Sequence, residues 1–199
     1  MFWDKAALLY DLFENVYNGD VNRRLVRTVA GMVEKEDRVL ECACGTGMIS
    51  RGIAPRCREL IATDYSIGML RQARKNLSGA DNVKVCRADI TKLKCRDESF
   101  DKVVAGNVIH LLDDPAAALS ELVRVCKKGG SIIIPTYINN ENVGKSGIFI
   151  RLLELFGADF KKQFDGDSYR RFFNELGYSN VEYRIISGKM SCAIAVIRK

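Results

Sequence analysis

Short apolar segments alternate with amphipathic helical segments over most of the chain, and this alternation limits the folds that the chain can adopt. Five of the apolar segments have the length and composition of buried strands, at 37–42, 59–63, 82–87, 100–105 and 131–136. A helix between two strands returns the chain so that the second strand runs parallel to the first. The sequence therefore predicts a doubly wound, mostly parallel α/β sheet with helices on both faces.

Residues that favour helix ends delimit three of the predicted helices. Ser66 is in position to cap the helix after the second strand. Asp114 precedes a proline at the first position of a helix that is predicted to end near 127–130. Either Asp167 or Ser168 is predicted to begin the last helix.

The C-terminal part of the chain departs from the alternation. Two strand-like segments, 180–186 and 190–197, are separated only by the residues Ser-Gly-Lys. A connection this short can join only antiparallel strands. We therefore expect a seven-stranded sheet that ends in an antiparallel β-hairpin.

The segments outside this pattern are candidates for covering a ligand. Helical spacing predicts helices at 4–18 and 21–33, before the first strand. The segment 138–166 combines asparagines and glycines with an apolar helix-like run, on the side of the sheet where ligands bind in such folds. It is predicted to be a lid or a substrate-pocket insertion, and a satellite helix packed on the core is an equal alternative. We expect one domain over 1–199, with residues 1–35 forming N-terminal helices that also act partly as a lid.

Composition and charge favour a cytoplasmic protein that does not bind nucleic acid. The net charge of +6 comes from many short basic clusters rather than from one block, and no nucleic-acid-binding motif is present. The first residues do not form a secretory signal, and no apolar run is long enough to span a bilayer. The seven cysteines include no Cys-x-x-Cys pair, which predicts reduced, mostly buried thiols and no metal site.

The candidate ligand site lies where successive predicted strands end. The first strand ends at Glu41 and runs into a turn with two glycines, whose missing Cβ atoms allow the backbone to lie against a ligand. A carboxylate there suits a cationic ligand end better than a phosphate. Asp64 follows the second strand, where an acid can bind both hydroxyls of a ribose, and Asp89 with Ile90 follows the third, beyond the ribose. For both aspartates a purely structural role, as a helix cap or turn residue, is the alternative.

These motifs resemble those of the class I S-adenosylmethionine (SAM)-dependent methyltransferases, in particular the small-molecule branch that includes enzymes of quinone biosynthesis. The resemblance covers about 37–136 and implies a Rossmann-like fold and SAM as cofactor, which becomes S-adenosylhomocysteine. Ala43 stands where the family has the first glycine of its loop. By this resemblance the following residues bind the cofactor: Glu41, Ala43, Cys44, Gly45, Gly47, Asp64, Tyr65, Met69, Asp89, Ile90, Asn107 and Val108.

The implied reaction is an in-line SN2 transfer of a methyl group to a small-molecule acceptor, apolar or anionic, by a monomer or homodimer. His110, the only histidine, is a candidate general base near the reaction centre. A dinucleotide-dependent dehydrogenase fits less well, because Ser50 stands at the third glycine position of its fingerprint. A protein or nucleic-acid methyltransferase and a non-catalytic SAM-binding partner protein remain alternatives.

Overall fold

The computed structural model describes residues 18–139 and 163–199, and these form a seven-stranded sheet with helices on both faces. The strand order across the sheet is β3-β2-β1-β4-β5-β7-β6. The strands are β1 (Arg38–Cys42), β2 (Glu59–Asp64), β3 (Val83–Arg87), β4 (Phe100–Ala105), β5 (Cys126–Ile138), β6 (Val181–Ile186) and β7 (Ser191–Arg198).

The described part of the chain also forms five α-helices and two short 3₁₀ turns. The α-helices are α1 (Gly19–Ala30), α2 (Met48–Ile53), α3 (Ile67–Asn76), α4 (Pro115–Val125) and α5 (Gly166–Glu175). The 3₁₀ turns are Ala54–Arg56 and Ile109–Leu111. Within these residues no helix is long and apolar enough to cross a membrane.

Strand pairing confirms both the parallel sheet and the terminal hairpin. The first five strands pair in parallel, with β1 between β2 and β4. β7 runs antiparallel to both β5 and β6. The chain adds β2 and β3 on one side of β1 and adds β4 and β5 on the other, so a crevice opens beyond the carboxyl ends of β1 and β4.

Two apolar cores lie on opposite faces of the sheet because neighbouring strand residues alternate in direction. Leu40 points into the core covered by α4 and α5, where Leu122 and Phe173 are also buried. Val39, its neighbour, points into the core covered by the first three helices, which buries Leu25 of α1 among other residues. The sandwiched sheet provides a rigid platform for the loops at its edge.

Some predicted boundaries are wrong or lie outside the described residues. Helix α4 ends at Val125 rather than near 127–130, because β5 begins directly at Cys126. Helix α5 begins earlier than predicted: Asp165 is its N-cap and forms a capping box with Ser168. The predicted helix at 4–18 and most of the 138–166 insertion lie outside the described residues. Five of the seven thiols are buried as predicted, whereas Cys86 is exposed.

Candidate active site

A cavity of about 590 Å³ lies beyond the carboxyl ends of β1 to β4. This volume is within the range of sites for drug-sized ligands. The lining contains every residue that the sequence assigned to the cofactor except Gly47, and it does not contain His110. The fold therefore brings together side chains from four separate strand ends.

The turn after β1 needs left-handed backbone at three positions. Ala43, Gly45 and Gly47 have φ values of 53°, 56° and 91°. A Cβ built on Gly45 would meet no protein atom within 4 Å, so at this cavity-lining position glycine serves the backbone conformation and the approach of a ligand. Gly47 is the N-cap of α2 and packs against Leu77 instead, so its role is to turn the chain into the helix. Ala43 adopts the glycine conformation despite its methyl group, at a cost of about 1–2 kcal/mol.

Glu41 is a buried carboxyl group on the cavity wall, with 2% of its surface exposed. Its Oε2 accepts a hydrogen bond of 2.5 Å from Ser50 Oγ. Burial, with a smaller contribution from the negative charge of Asp64, raises the pKa of Glu41 to about 8. Ser50 occupies the third glycine position of the dinucleotide fingerprint, and in the structure its hydroxyl holds the Glu41 carboxyl group in place. Its role as a partner of Glu41 was not predicted.

Asp64 makes structural contacts, one of the two alternatives that the sequence left open, and it also lies on the cavity wall. Its Oδ2 accepts a hydrogen bond from the Gly45 N–H at 2.9 Å, and its Oδ1 accepts one from the Ser66 N–H at 2.8 Å. Ser66 in turn caps α3 through the Met69 N–H. The carboxylate also lines the cavity. It therefore joins the glycine turn to the start of α3 and also forms part of the cavity wall.

Asp89 also forms a turn and lines the cavity. Its Oδ1 accepts hydrogen bonds from the N–H and the hydroxyl of Thr91, at 2.9 and 2.7 Å. These bonds lower the pKa of Asp89, so the group is a carboxylate at neutral pH. Ile90 beside it supplies an apolar, largely buried surface on the same wall.

Asn107 closes the cavity at the end of β4 and is fixed by β5. Its N–H donates to Pro135 O at 2.8 Å, and its Oδ1 accepts from the Tyr137 N–H at 3.1 Å. Because a backbone N–H can only donate, the atom that faces Tyr137 must be the amide oxygen. The amide NH₂ group of Asn107 therefore points the other way. Asn107 has a positive φ of 53°, so its position is held against the usual backbone preference. Val108 follows it on the cavity wall.

His110 lies in the 3₁₀ turn after Val108 and is 8% exposed. Burial lowers the pKa of His110 to about 4, so the imidazole is neutral at physiological pH. The side chains of Val108 and Leu111, on either side of it in sequence, line the cavity. Its assignment as general base stays a prediction.

The lining also includes residues that the sequence did not indicate. Those beyond Val108 include two aspartates: Leu111, Leu112, Asp113 and Asp114. No lysine or arginine lines the cavity among the described residues, although the chain carries a net charge of +6. The same part of the chain contains no group of histidine, cysteine and acidic residues that could hold a metal ion. The wall is therefore acidic and apolar, which suits a ligand with a cationic end and a nucleoside.

Comparisons with known proteins identify the domain that contains this cavity. Residues 40–134 match the family model for a methyltransferase domain. Over 98% of its length the chain also has the fold of a SAM-dependent methyltransferase of Thermotoga maritima, with a TM-score of 0.73, 20% identity and 98% of that chain covered. Residues 40–134 therefore form a methyltransferase domain, and the fold is that of the class I SAM-dependent methyltransferases.

Within this class, the chain is similar to demethylmenaquinone methyltransferases. It is 40% identical to the one of Clavibacter sepedonicus over 56% of this chain, but the match covers only 43% of that relative. It is 28% identical to the one of Renibacterium salmoninarum over 94% of this chain and 86% of the relative. The stronger local match therefore spans less than half of the relative, while the weaker match spans most of it.

Proposed function

We propose that this chain transfers a methyl group from SAM to a small-molecule acceptor. The observation that carries the proposal is the position of Glu41, a buried carboxyl group that shares one cavity with the glycine turn, Asp64 and Asp89. A buried acid is costly unless a cation or a proton compensates its charge. A cationic ligand end at this position explains why the acid is there.

The residues of the cavity fit SAM from one end to the other. Glu41 would bind the cationic amino-acid end, and the turn with Gly45 would lie against it. Asp64 would accept hydrogen bonds from the ribose hydroxyls. Asp89 and Ile90 would contact the adenine, and Tyr65 and Met69 would complete its pocket. Cys44 and Val108 would supply apolar contacts, and Asn107 would lie near the reacting methyl group.

Besides position and exclusion of water, the chemistry requires that the acceptor lose a proton, for which His110 is the predicted general base. SAM supplies a methyl group that is already activated by its sulfonium charge. The protein has to align the acceptor with the methyl–sulfur bond and keep water away from it. The apolar side chains of Val108 and Leu112 would exclude water from the part of the cavity where the acceptor would approach.

The relatives support an acceptor of the demethylmenaquinone type, a quinol ring with an apolar tail. The cavity lining favours the neutral form of such a ring over an anion, because Asp113 and Asp114 line the cavity and no described lysine or arginine does. The Leu, Ile and Phe content of 1–20 and 138–166 supports a role for both segments in enclosing an apolar acceptor. Ligand-dependent protection of these segments from proteolysis would support that role.

The decisive experiment is methylation by the purified full chain, with isotope-labelled SAM and a short-tailed demethylmenaquinol. We expect label in the quinol, detected by mass spectrometry, and no label with Asp64→Ala at the same SAM concentration. Binding of S-adenosylhomocysteine without transfer to any acceptor would favour a non-catalytic SAM-binding partner. Label in added protein or RNA would favour a macromolecular acceptor.

The setting of the protein is also a proposal. All seven cysteines are free, which agrees with the reducing conditions of the cytoplasm. We propose a monomer or a homodimer, which sedimentation of the purified chain distinguishes.

A further inference from the structure

Tyr65 is an exposed aromatic ring on the wall of the cavity. It follows Asp64 directly, lines the cavity and has 49% of its surface exposed. A half-exposed ring at the start of a loop would adopt several rotamers unless another group held it. One other side chain does hold it.

Arg87, the last residue of β3, contacts both the backbone and the ring of Tyr65. Its Nε donates a hydrogen bond to Tyr65 O at 3.0 Å. Its guanidinium carbon lies 4.8 Å from the centre of the Tyr65 ring, within the distance of a cation–π contact. The pairing of β2 with β3 sets this geometry, because Asp64 lies opposite Arg87 in the register.

The guanidinium has no competing partner among the residues that the structure describes. No carboxylate there forms an ion pair with Arg87, whereas Arg38 and Arg124 are both ion-paired. Arg87 is also absent from the cavity lining, while its neighbour Ala88 is part of it. The arginine therefore contacts Tyr65 from outside the cavity and leaves the rest of the ring to a ligand.

We propose that Arg87 is a positioning residue that holds the Tyr65 ring as a platform for the adenine of SAM. This inference rests on the proposed function. The planar guanidinium fixes the ring from behind, so that less conformational entropy is lost when a flat base packs against its other side. The nucleoside end of the ligand, and not its amino-acid end, should therefore depend on Arg87.

The test is a double-mutant cycle on the full chain, with S-adenosylhomocysteine and adenosine as calorimetric ligands. We expect Arg87→Ala to weaken both ligands by about three- to tenfold, and Tyr65→Ala by at least as much. In Tyr65→Ala protein, the further change Arg87→Ala should weaken binding by less than about twofold, because only the hydrogen bond to the main-chain oxygen of residue 65 is then lost. Arg87→Lys should restore less than half of the loss, since lysine has no planar group to stack.

Arg74 is the matched control, because it is an exposed arginine on α3 that bonds to Val85 O and does not touch Tyr65. Arg74→Ala should change the affinity by less than twofold. Equal losses in the two arginine variants would mean that net charge alone matters, and would overturn the proposal. So would an unchanged affinity in Arg87→Ala, or the same Arg87→Ala effect with and without Tyr65.

The outcomes separate this inference from the proposed function. If the unmodified chain does not bind S-adenosylhomocysteine, the proposed function itself fails. If the unmodified chain instead binds S-adenosylhomocysteine with an affinity that Asp64→Asn lowers and Arg87→Ala leaves unchanged, only the role of Arg87 fails. If Arg87→Ala lowers the melting temperature, the affinity of Arg87→Lys is compared with that of the unmodified chain instead.

Discussion

The raised pKa of Glu41 predicts that binding of the cationic cofactor releases a proton. The carboxyl group is 2% exposed, and its pKa is raised to about 8, mainly by burial. At pH 7 about one molecule in ten then carries the carboxylate, and at pH 6 about one in a hundred. Only the carboxylate form pairs with a cation, so the affinity for S-adenosylhomocysteine should fall as the pH is lowered.

The magnitude follows from the same pKa. Below pH 8 the affinity should lose about tenfold per pH unit, which amounts to about 50-fold between pH 8 and pH 6. Calorimetry at pH 7 in buffers of different ionisation enthalpy should show the release of about 0.9 proton per ligand bound. Glu41→Gln should abolish this release and weaken binding at pH 8 by at least about tenfold.

The same substitution should stabilise the ligand-free protein. When the pKa of a carboxyl group is higher in the folded than in the unfolded protein, the folded protein binds the proton more tightly. The free energy of unfolding then falls as the pH rises from the pKa of the unfolded state to that of the folded state. For Glu41 this window runs from 4.5 to about 8, and the loss is about 3 kcal/mol at pH 7. Glutamine does not titrate and keeps an acceptor for Ser50, so the melting temperature at pH 7 should rise by up to about 6–12 °C.

Two controls test whether the buried Glu41 carboxyl group causes these effects. The ammonium group of the ligand also titrates at alkaline pH, so the difference between Glu41→Gln and the unmodified chain isolates the enzyme group. Glu182→Gln changes an exposed acid paired with Arg198, and should leave both the affinity and the proton release unchanged. If Glu41→Gln keeps the pH dependence of binding, or lowers the melting temperature at pH 7, the assignment of a buried, protonated Glu41 is wrong.

Three further substitutions test other parts of the site. Ala43→Gly removes a methyl group at a φ of 53°, so a thermal melt should show a gain of about 1 kcal/mol with unchanged affinity for S-adenosylhomocysteine; a loss of stability would contradict the strained conformation. Asp64→Asn keeps only one acceptor oxygen for the Gly45 and Ser66 N–H groups, and should weaken calorimetric binding more than about tenfold; equal affinity would remove Asp64 from the site. His110 is neutral because its pKa is lowered from 6.5 to about 4. The free energy of unfolding of the unmodified chain should therefore fall by up to about 3 kcal/mol as the pH is lowered through this window, and that of His110→Gln should not. Parallel curves of stability against pH for the two proteins would refute this.

The sheet could be predicted from sequence because its signals are local. The buried strands are short apolar runs, and β4 begins and ends as predicted, at Phe100 and Ala105. Ser66 and Asp114 cap their helices as expected, since a capping side chain bonds to a backbone N–H three residues away. The start of α5 was misplaced because the sequence near Asp165 offers several capping residues in succession.

Most residues of the cavity could be predicted because their sequence signals are also local, but the contacts among these residues could not be predicted. An acid or a glycine at a strand end predicts which residues meet at the edge of a parallel sheet. It does not show that Gly47 turns away from the cavity or that His110 is absent from its lining. These outcomes depend on side-chain directions in turns, where no simple period applies.

The sequence by itself determined the order of strands and helices along the chain, the terminal hairpin, and the acids and the glycine that meet at the cavity. Only the tertiary structure decided the state of those groups. The protonation of Glu41 depends on its burial beside Ser50, and the orientation of the Asn107 amide depends on the Tyr137 N–H, 30 residues away. The contact of Arg87 with Tyr65 depends on the register of two strands. Burial, pairing and register bring together residues that are distant in sequence, and no local pattern records them.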